Sequence, residues 1–153
     1  MITKEDARKV VQEELDVLRK KIIDNHLRAG QKASGRTINS LRVDVDDEGG
    51  TLFGRKAFGT LETGRRGGKV PKGFYQIILQ WVKDKGINVE KPKTFAYFVA
   101  RKIAREGTEL YRQGGRDDIY SNEIPKTQES ILNRITGLLS AEVSSINLNS
   151  KKE

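Results

Sequence analysis

The sequence predicts an α+β fold: helices packed on a small antiparallel β-sheet, with a long N-terminal helix and a C-terminal helix. Three observations carry that prediction. Apolar residues recur at helical spacing near both ends of the chain, residues 41–53 alternate about an acidic turn, and two further helical stripes lie between them. At 153 residues and 17.2 kDa the chain fits one α+β domain. It is placed at 1–146, with 147–153 a frayed tail. Leu, Ile, Val and Phe supply 40 of the 153 residues, above the roughly 20% below which chains tend toward disorder. A core can therefore be buried.

The N-terminal helix is expected over 4–29. Thr3 and Asp6 have the spacing of a capping box, and Ala7, Val11, Leu15, Leu18 and Ile22 repeat at four, four, three and four residues. Gly30 suits a left-handed cap, and 31–35 read as a linker. A hairpin and a basic loop then fill 37–73. Leu41, Val43 and Val45 share one face with Arg42 and Asp44 on the other, and Asp46 to Gly50 turn the chain toward Thr51, Leu52 and Phe53. After Pro71, the stripe Phe74, Ile77, Ile78, Trp81 and Val82 predicts a helix over 74–85, stopped by Gly86. Thr94 is read as the cap of a helix over 94–106, with Ala96, Val99, Ala100 and Ile103 on its apolar side. Residues 108–122 mix aromatics and charges without period and read as an irregular arm. Pro125 opens a C-terminal helix over 125–146 with Ile131, Ile135, Leu138 and Val143 as its stripe.

Much chemistry is excluded by residue type. Without cysteine the chain has no disulfide, thiolate ligand or thiol nucleophile, and a single histidine, His26, cannot supply a zinc ligand cluster. His26 instead reads as a cation near a helix C-terminus. The run from Gly64 to Val70 misplaces the first glycine of a phosphate loop and puts Val70 where a magnesium-binding hydroxyl belongs. Asp117 with Asp118, and the acids 46–48, lack the alternation of a calcium loop and read as solvated turns. No catalytic residue, metal ligand or cofactor site is assigned. No stretch has the roughly 18 apolar residues of a membrane span, and the first residues lack a signal-peptide core, so a soluble, unexported protein is expected.

The charge points to an acidic partner. With 29 basic and 21 acidic residues the net charge is +8. Residues 54–73 gather Arg55, Lys56, Arg65, Arg66, Lys69 and Lys72 against Glu62 alone, together with six of the fifteen glycines. These bases are read as displayed on a flexible loop, for contact with DNA phosphates or an acidic protein surface. Trp81, Phe95, Tyr97 and Phe98 are of the type that stacks on bases, but core packing explains Trp81 first, and Tyr97 is expected to be partly exposed. In the arm, Tyr111, Arg112, Arg116 and Tyr120 are the residue types enriched at interface hot spots and are assigned to a subunit interface.

Four stretches together resemble a known family. They are Gly35-Arg36-Thr37-Ile38-Asn39-Ser40-Leu41; the run from Phe58-Gly59 through Glu62 and Gly64-Arg65-Arg66-Gly67-Gly68-Lys69-Val70-Pro71; Ile77, Trp81 and Lys85-Gly86; and Phe95 to Ile103 followed by Glu106-Gly107-Thr108. In order and spacing they resemble the neck, head-tail connector and tail-completion proteins of tailed bacteriophages. The chain differs from the commoner pattern in Thr60-Leu61 before Glu62 and in the arm and helix after Gly107. The resemblance implies a non-enzymatic virion protein, assembled in the host bacterial cytoplasm. It would form a homo-oligomer ring of six or twelve copies, in contact with portal, connector or tail proteins around the DNA channel. The alternative reading is a stand-alone, sequence-nonspecific nucleic-acid-binding module. A third, an enzyme acting on nucleic acid with Glu62, Asp117 or Asp118 holding a metal, rests only on carboxylates near basic loops.

Overall fold

The computed structural model describes residues 1–146; the tail expected over 147–153 lies outside the described residues. The chain is α+β. Helix α1 runs Lys4–Arg28, α2 Arg36–Asn39, strand β1 Arg42–Val45 and β2 Gly50–Phe53. A single 3-10 turn at Lys56–Gly59 leads into α3, Thr60–Thr63. Then follow α4 Phe74–Asp84, α5 Pro92–Glu106, α6 Glu109–Arg112 and α7 Glu123–Ser145.

The start of α1 follows from its first residues. The Asp6 amide donates to Thr3 Oγ1 at 3.2 Å and the Thr3 amide to the Asp6 carboxylate at 2.8 Å, which satisfies two otherwise orphaned donors. The strands pair antiparallel with Arg42 opposite Phe53 and Val45 opposite Gly50. The turn between them is held by Asp46, whose Oδ1 accepts from the amides of Glu48 and Gly49.

Two apolar clusters form. In the first, Leu15, Leu18 and Ile22 of α1 meet Leu41 and Ile119, with Val43, Leu52, Phe58 and Leu61 around them. In the second, Ile78 and Val82 of α4 lie on Ala96 and Ala100 of α5, where small side chains let the two helices approach closely. Helix α7 lies along α1, and Arg134 bridges them by donating to Glu13 at 2.6 Å and Glu14 at 2.9 Å.

That bridge has a pH signature. The Arg134 hydrogen bond holds the Glu14 carboxyl below its ordinary value, so its contribution is present above the unfolded glutamate value of about 4.3 and lost as pH falls through the lower folded value. Arg134→Ala is expected to lower the thermal midpoint at about pH 7 and to lose that effect once the pH has fallen below the lowered folded value of Glu14, where its carboxyl is protonated in both states. A midpoint difference that is the same at both ends of the titration would contradict the bridge.

Several boundaries differ from the sequence reading. Helix α2 is absent from it, because four residues leave no apolar period. Helix α5 begins at Pro92, whose missing amide is needed by no bond in the first turn, so Thr94 is not its cap. Helix α7 begins at Glu123 and carries Pro125 within its first turn for the same reason. The stretch 108–122 is not an irregular arm. It holds α6, capped by the Thr108 side chain, and it sends Ile119, 0% exposed, into the first cluster.

Candidate functional site

The segment 116–121 is held by several bonds to one residue of α3, Glu62. Helix α3 turns Glu62 inward, 4% exposed, and its Oε1 accepts three consecutive amides, those of Ile119 at 3.0 Å, Tyr120 at 2.6 Å and Ser121 at 2.8 Å. Oε2 accepts the Ser121 hydroxyl, and the Glu62 peptide oxygen accepts the Arg116 amide at 2.8 Å. With both carboxylate oxygens engaged, Glu62 is a structural anchor. Tyr120 follows it inward: its ring centroid is 4.9 Å from that of Phe58 and its hydroxyl donates to the Gly59 carbonyl at 3.0 Å. Burial pushes the Tyr120 hydroxyl above the usual tyrosine value, with the nearby Glu62 charge adding to the effect.

The basic loop is clamped rather than free. The Arg65 amide donates to Thr108 Oγ1 at 2.9 Å, the Thr108 amide returns a bond to the Arg65 carbonyl at 2.9 Å, and the Gly68 amide reaches the Ala104 carbonyl at 2.7 Å. The backbones touch through glycine. A Cβ on Gly107 would lie 2.6 Å from the Arg65 carbonyl oxygen, and one on Gly67 would lie 2.7 Å from that of Arg105. Of the glycines read as flexibility in the sequence, Gly64 and Gly67 are here contact points, while Gly68 stands open.

The six bases assigned to this loop therefore separate. Arg66, Lys69 and Lys72 are exposed. Arg65 is half-buried, with its guanidinium 5.1 Å from the Phe74 ring centroid and Nη2 donating to the Lys69 carbonyl at 3.2 Å. Arg55 and Lys56 are exposed before α3, and Arg55 borders a cleft of about 320 Å³ with Arg36, Trp81 and Asp84. Trp81, expected in the core, is 36% exposed at that cleft because its helix turns Ile78 and Val82, not Trp81, toward α5. His26 lies in the last turn of α1, as its reading near a helix C-terminus expects. It is buried, with Nδ1 3.3 Å from Gln31 Oε1.

The four proposed interface residues of 108–122 divide as well. Arg116 is committed to Asp118 through bonds of 2.6 and 2.8 Å, which hold the Asp118 carboxyl below its usual range. Tyr120 is tucked under the segment. Only Tyr111 and Arg112 face solvent, and Arg112 approaches Glu106 at 3.4 Å. Among the described residues no group of three His, Cys, Asp or Glu is arranged to hold a metal ion. No helix among them is long and apolar enough to cross a membrane.

The charge is distributed in a way the loop-centred reading missed. Residues 64–106 carry eleven bases and three acids, while the remainder of the chain carries eighteen of each. The whole net charge of +8 thus lies on the loop and the α4–α5 pair. On the solvent side of α5 stand Tyr97 and Phe98, the latter 63% exposed, with centroids 5.7 Å apart in an edge-to-face arrangement. A sum over the two helices, instead of one ending at Gly73, would have located this face. No protein-family model, curated protein or solved structure was found to match the chain.

Proposed function

We propose that this chain is a virion structural protein of a tailed bacteriophage, a neck or tail-completion component of the head-to-tail connection around the DNA channel. The observation that supports the reading is where its family-like stretches meet. Gly64, Arg65 and Gly67 are separated from Gly107 and Thr108 by at least forty positions, yet they belong to one clamp of reciprocal hydrogen bonds and glycine contacts. Such a clamp holds the α4–α5 pair at a set angle to the first cluster, as a subunit repeated around a closed ring requires. In this reading six or twelve copies form the ring in the host cytoplasm and pass into the virion, bound to portal, connector or tail proteins. Arg66, Lys69 and Lys72 face the channel, where phosphate contacts carry no sequence information.

The test is the mass of the purified protein by light scattering, alone and mixed with portal or connector protein from the same genome. A closed ring or a stable co-complex is expected. The triple change Arg66→Glu, Lys69→Glu and Lys72→Glu should leave the ring or co-complex intact and weaken its hold on DNA without unfolding the chain, since all three side chains are exposed. Arg65 is unsuited to this test because removing it also strips Phe74 of its cation. A persistent monomer that binds DNA but no virion protein would overturn the reading. It would favour the second one, a sequence-nonspecific nucleic-acid-binding module, which the concentration of the entire net charge in 64–106 supports.

A further inference from the structure

We infer that the solvent face of α5 is a docking surface for single-stranded nucleic acid, with Tyr97 and Phe98 stacking on unpaired bases while Lys93, Arg101 and Lys102 hold the phosphates. The inference rests on the nucleic-acid reading above, moves the contact from the basic loop to a helix, and specifies the form of the ligand.

The spacing places these groups together. Lys93, Tyr97 and Arg101 follow one another at four-residue steps, and Phe98 and Lys102 form the neighbouring row, so bases and rings alternate over one side of the helix. No acid occurs between Lys91 and Arg105. Arg105 is engaged by Glu106, but Lys93, Arg101 and Lys102 make no ion pair among the described residues. The Arg101 guanidinium donates to the Tyr97 hydroxyl at 3.2 Å, which keeps a cation beside the aromatic pair. At the N-terminal end of the same helix, a cleft of about 450 Å³ repeats the combination, with Leu79 and Pro92 as apolar lining among Lys83, Lys91 and Lys93.

The pairing of chemistries selects the ligand. A duplex offers phosphates but hides its base faces, so it would engage the cations and leave Phe98 idle. Beside the two rings an apolar protein partner would meet mostly cations, because their exposed neighbours along α5 are Lys93, Thr94, Arg101 and Lys102. A single strand uses both features, since every base has a face that stacks on an aromatic ring regardless of sequence.

The experiment is fluorescence anisotropy of the full chain with a labelled oligothymidine of about 20 nucleotides, a duplex of the same length, and polyglutamate as competitor, at several salt concentrations. The strand should bind more tightly than the duplex. Phe98→Ala should weaken strand binding by roughly tenfold and leave duplex binding unchanged, a split that misfolding would not produce. Lys102→Glu should weaken both and flatten the salt dependence. Equal binding of strand and duplex, indifferent to Phe98→Ala, would overturn the inference in favour of phosphate attraction alone. Displacement by polyglutamate as readily as by unlabelled strand would overturn it in favour of an acidic protein partner. Loss of strand binding in the triple loop variant but not in Phe98→Ala would return the contact to the loop. Absence of binding to either nucleic acid would remove the nucleic-acid reading itself along with this inference.

Discussion

Glu62→Ala is expected to destabilise the chain by about 3 to 5 kcal/mol, the scale at which one buried hub's loss strands several donors. The substitution removes the acceptor of the Ile119, Tyr120 and Ser121 amides at once, and the Ile119 amide has no access to water because its residue is fully buried. Each stranded buried donor costs about 1 to 3 kcal/mol, less where water can enter. The loss also frees Ile119 from the first cluster and Tyr120 from Phe58, so the effect extends beyond the hydrogen bonds. Glu62→Gln keeps one carbonyl oxygen and should cost about 1 to 2 kcal/mol, the penalty for presenting an amide where Ser121 needs an acceptor. Urea denaturation measures both. Limited trypsin digestion gives an independent readout, because release of 116–121 exposes the bond after Arg116. An unfolding midpoint for Glu62→Ala equal to the parent's would refute the anchor.

The parts of this fold that were legible in the sequence are those whose partners are close in the chain. Helix α1 was expected over 4–29 and runs Lys4–Arg28, since a capping box and a regular stripe are both local signals. The hairpin was legible for the same reason, with alternation on either side of an acidic turn. Residues 108–122 were not. What orders 119–121 is a carboxylate about 58 positions earlier, and bonds from consecutive amides to one distant side chain leave no period to read. Glu62 itself was visible as an isolated acid in a basic run, as part of a family-like stretch and as a possible metal ligand, none of which marks a buried anchor.

The flexibility of the basic loop was misread through its glycines, and the extent of the basic region through the choice of window. A glycine-rich basic run suggests a mobile loop when read alone, yet Gly67 and Gly107 serve as places where two backbones touch. That converts Arg65 from a free cation into part of the clamp and leaves Arg66, Lys69 and Lys72 as the displayed charges. The aromatic residues of α5 were recognised as capable of stacking, but which rings face outward depends on which side of α5 meets α4. Ala96 and Ala100 settle that side, and their small size is a weak hydrophobic signal beside Phe98.

Gly107→Ala should destabilise the chain by about 3 kcal/mol or more, and comparison with Gly68→Ala separates its two causes. Both glycines have positive φ, +84° at Gly107 and +114° at Gly68, so both substitutions force an L-residue into a region it rarely adopts, at about 1 to 2 kcal/mol. Only Gly107 adds a collision. Its new Cβ would meet the Arg65 carbonyl oxygen at 2.6 Å and the Gly67 nitrogen at 3.0 Å, whereas nothing lies within 4 Å of a Cβ on Gly68. Relief requires the two backbones to part, which breaks the Thr108 amide's bond to Arg65 and loosens that of Gly68 to Ala104. Hydrogen exchange at the Thr108 and Gly68 amides should therefore accelerate in Gly107→Ala, while in Gly68→Ala exchange at Thr108 stays near the parent's rate. Because the α4–α5 pair is tied to the first cluster through these bonds, ring assembly should fail in Gly107→Ala at temperatures where the chain is still folded. If the two alanine variants lose equal stability and the Thr108 amide stays protected in both, the chain is not clamped at this point, and the set angle invoked for a ring subunit loses its physical basis.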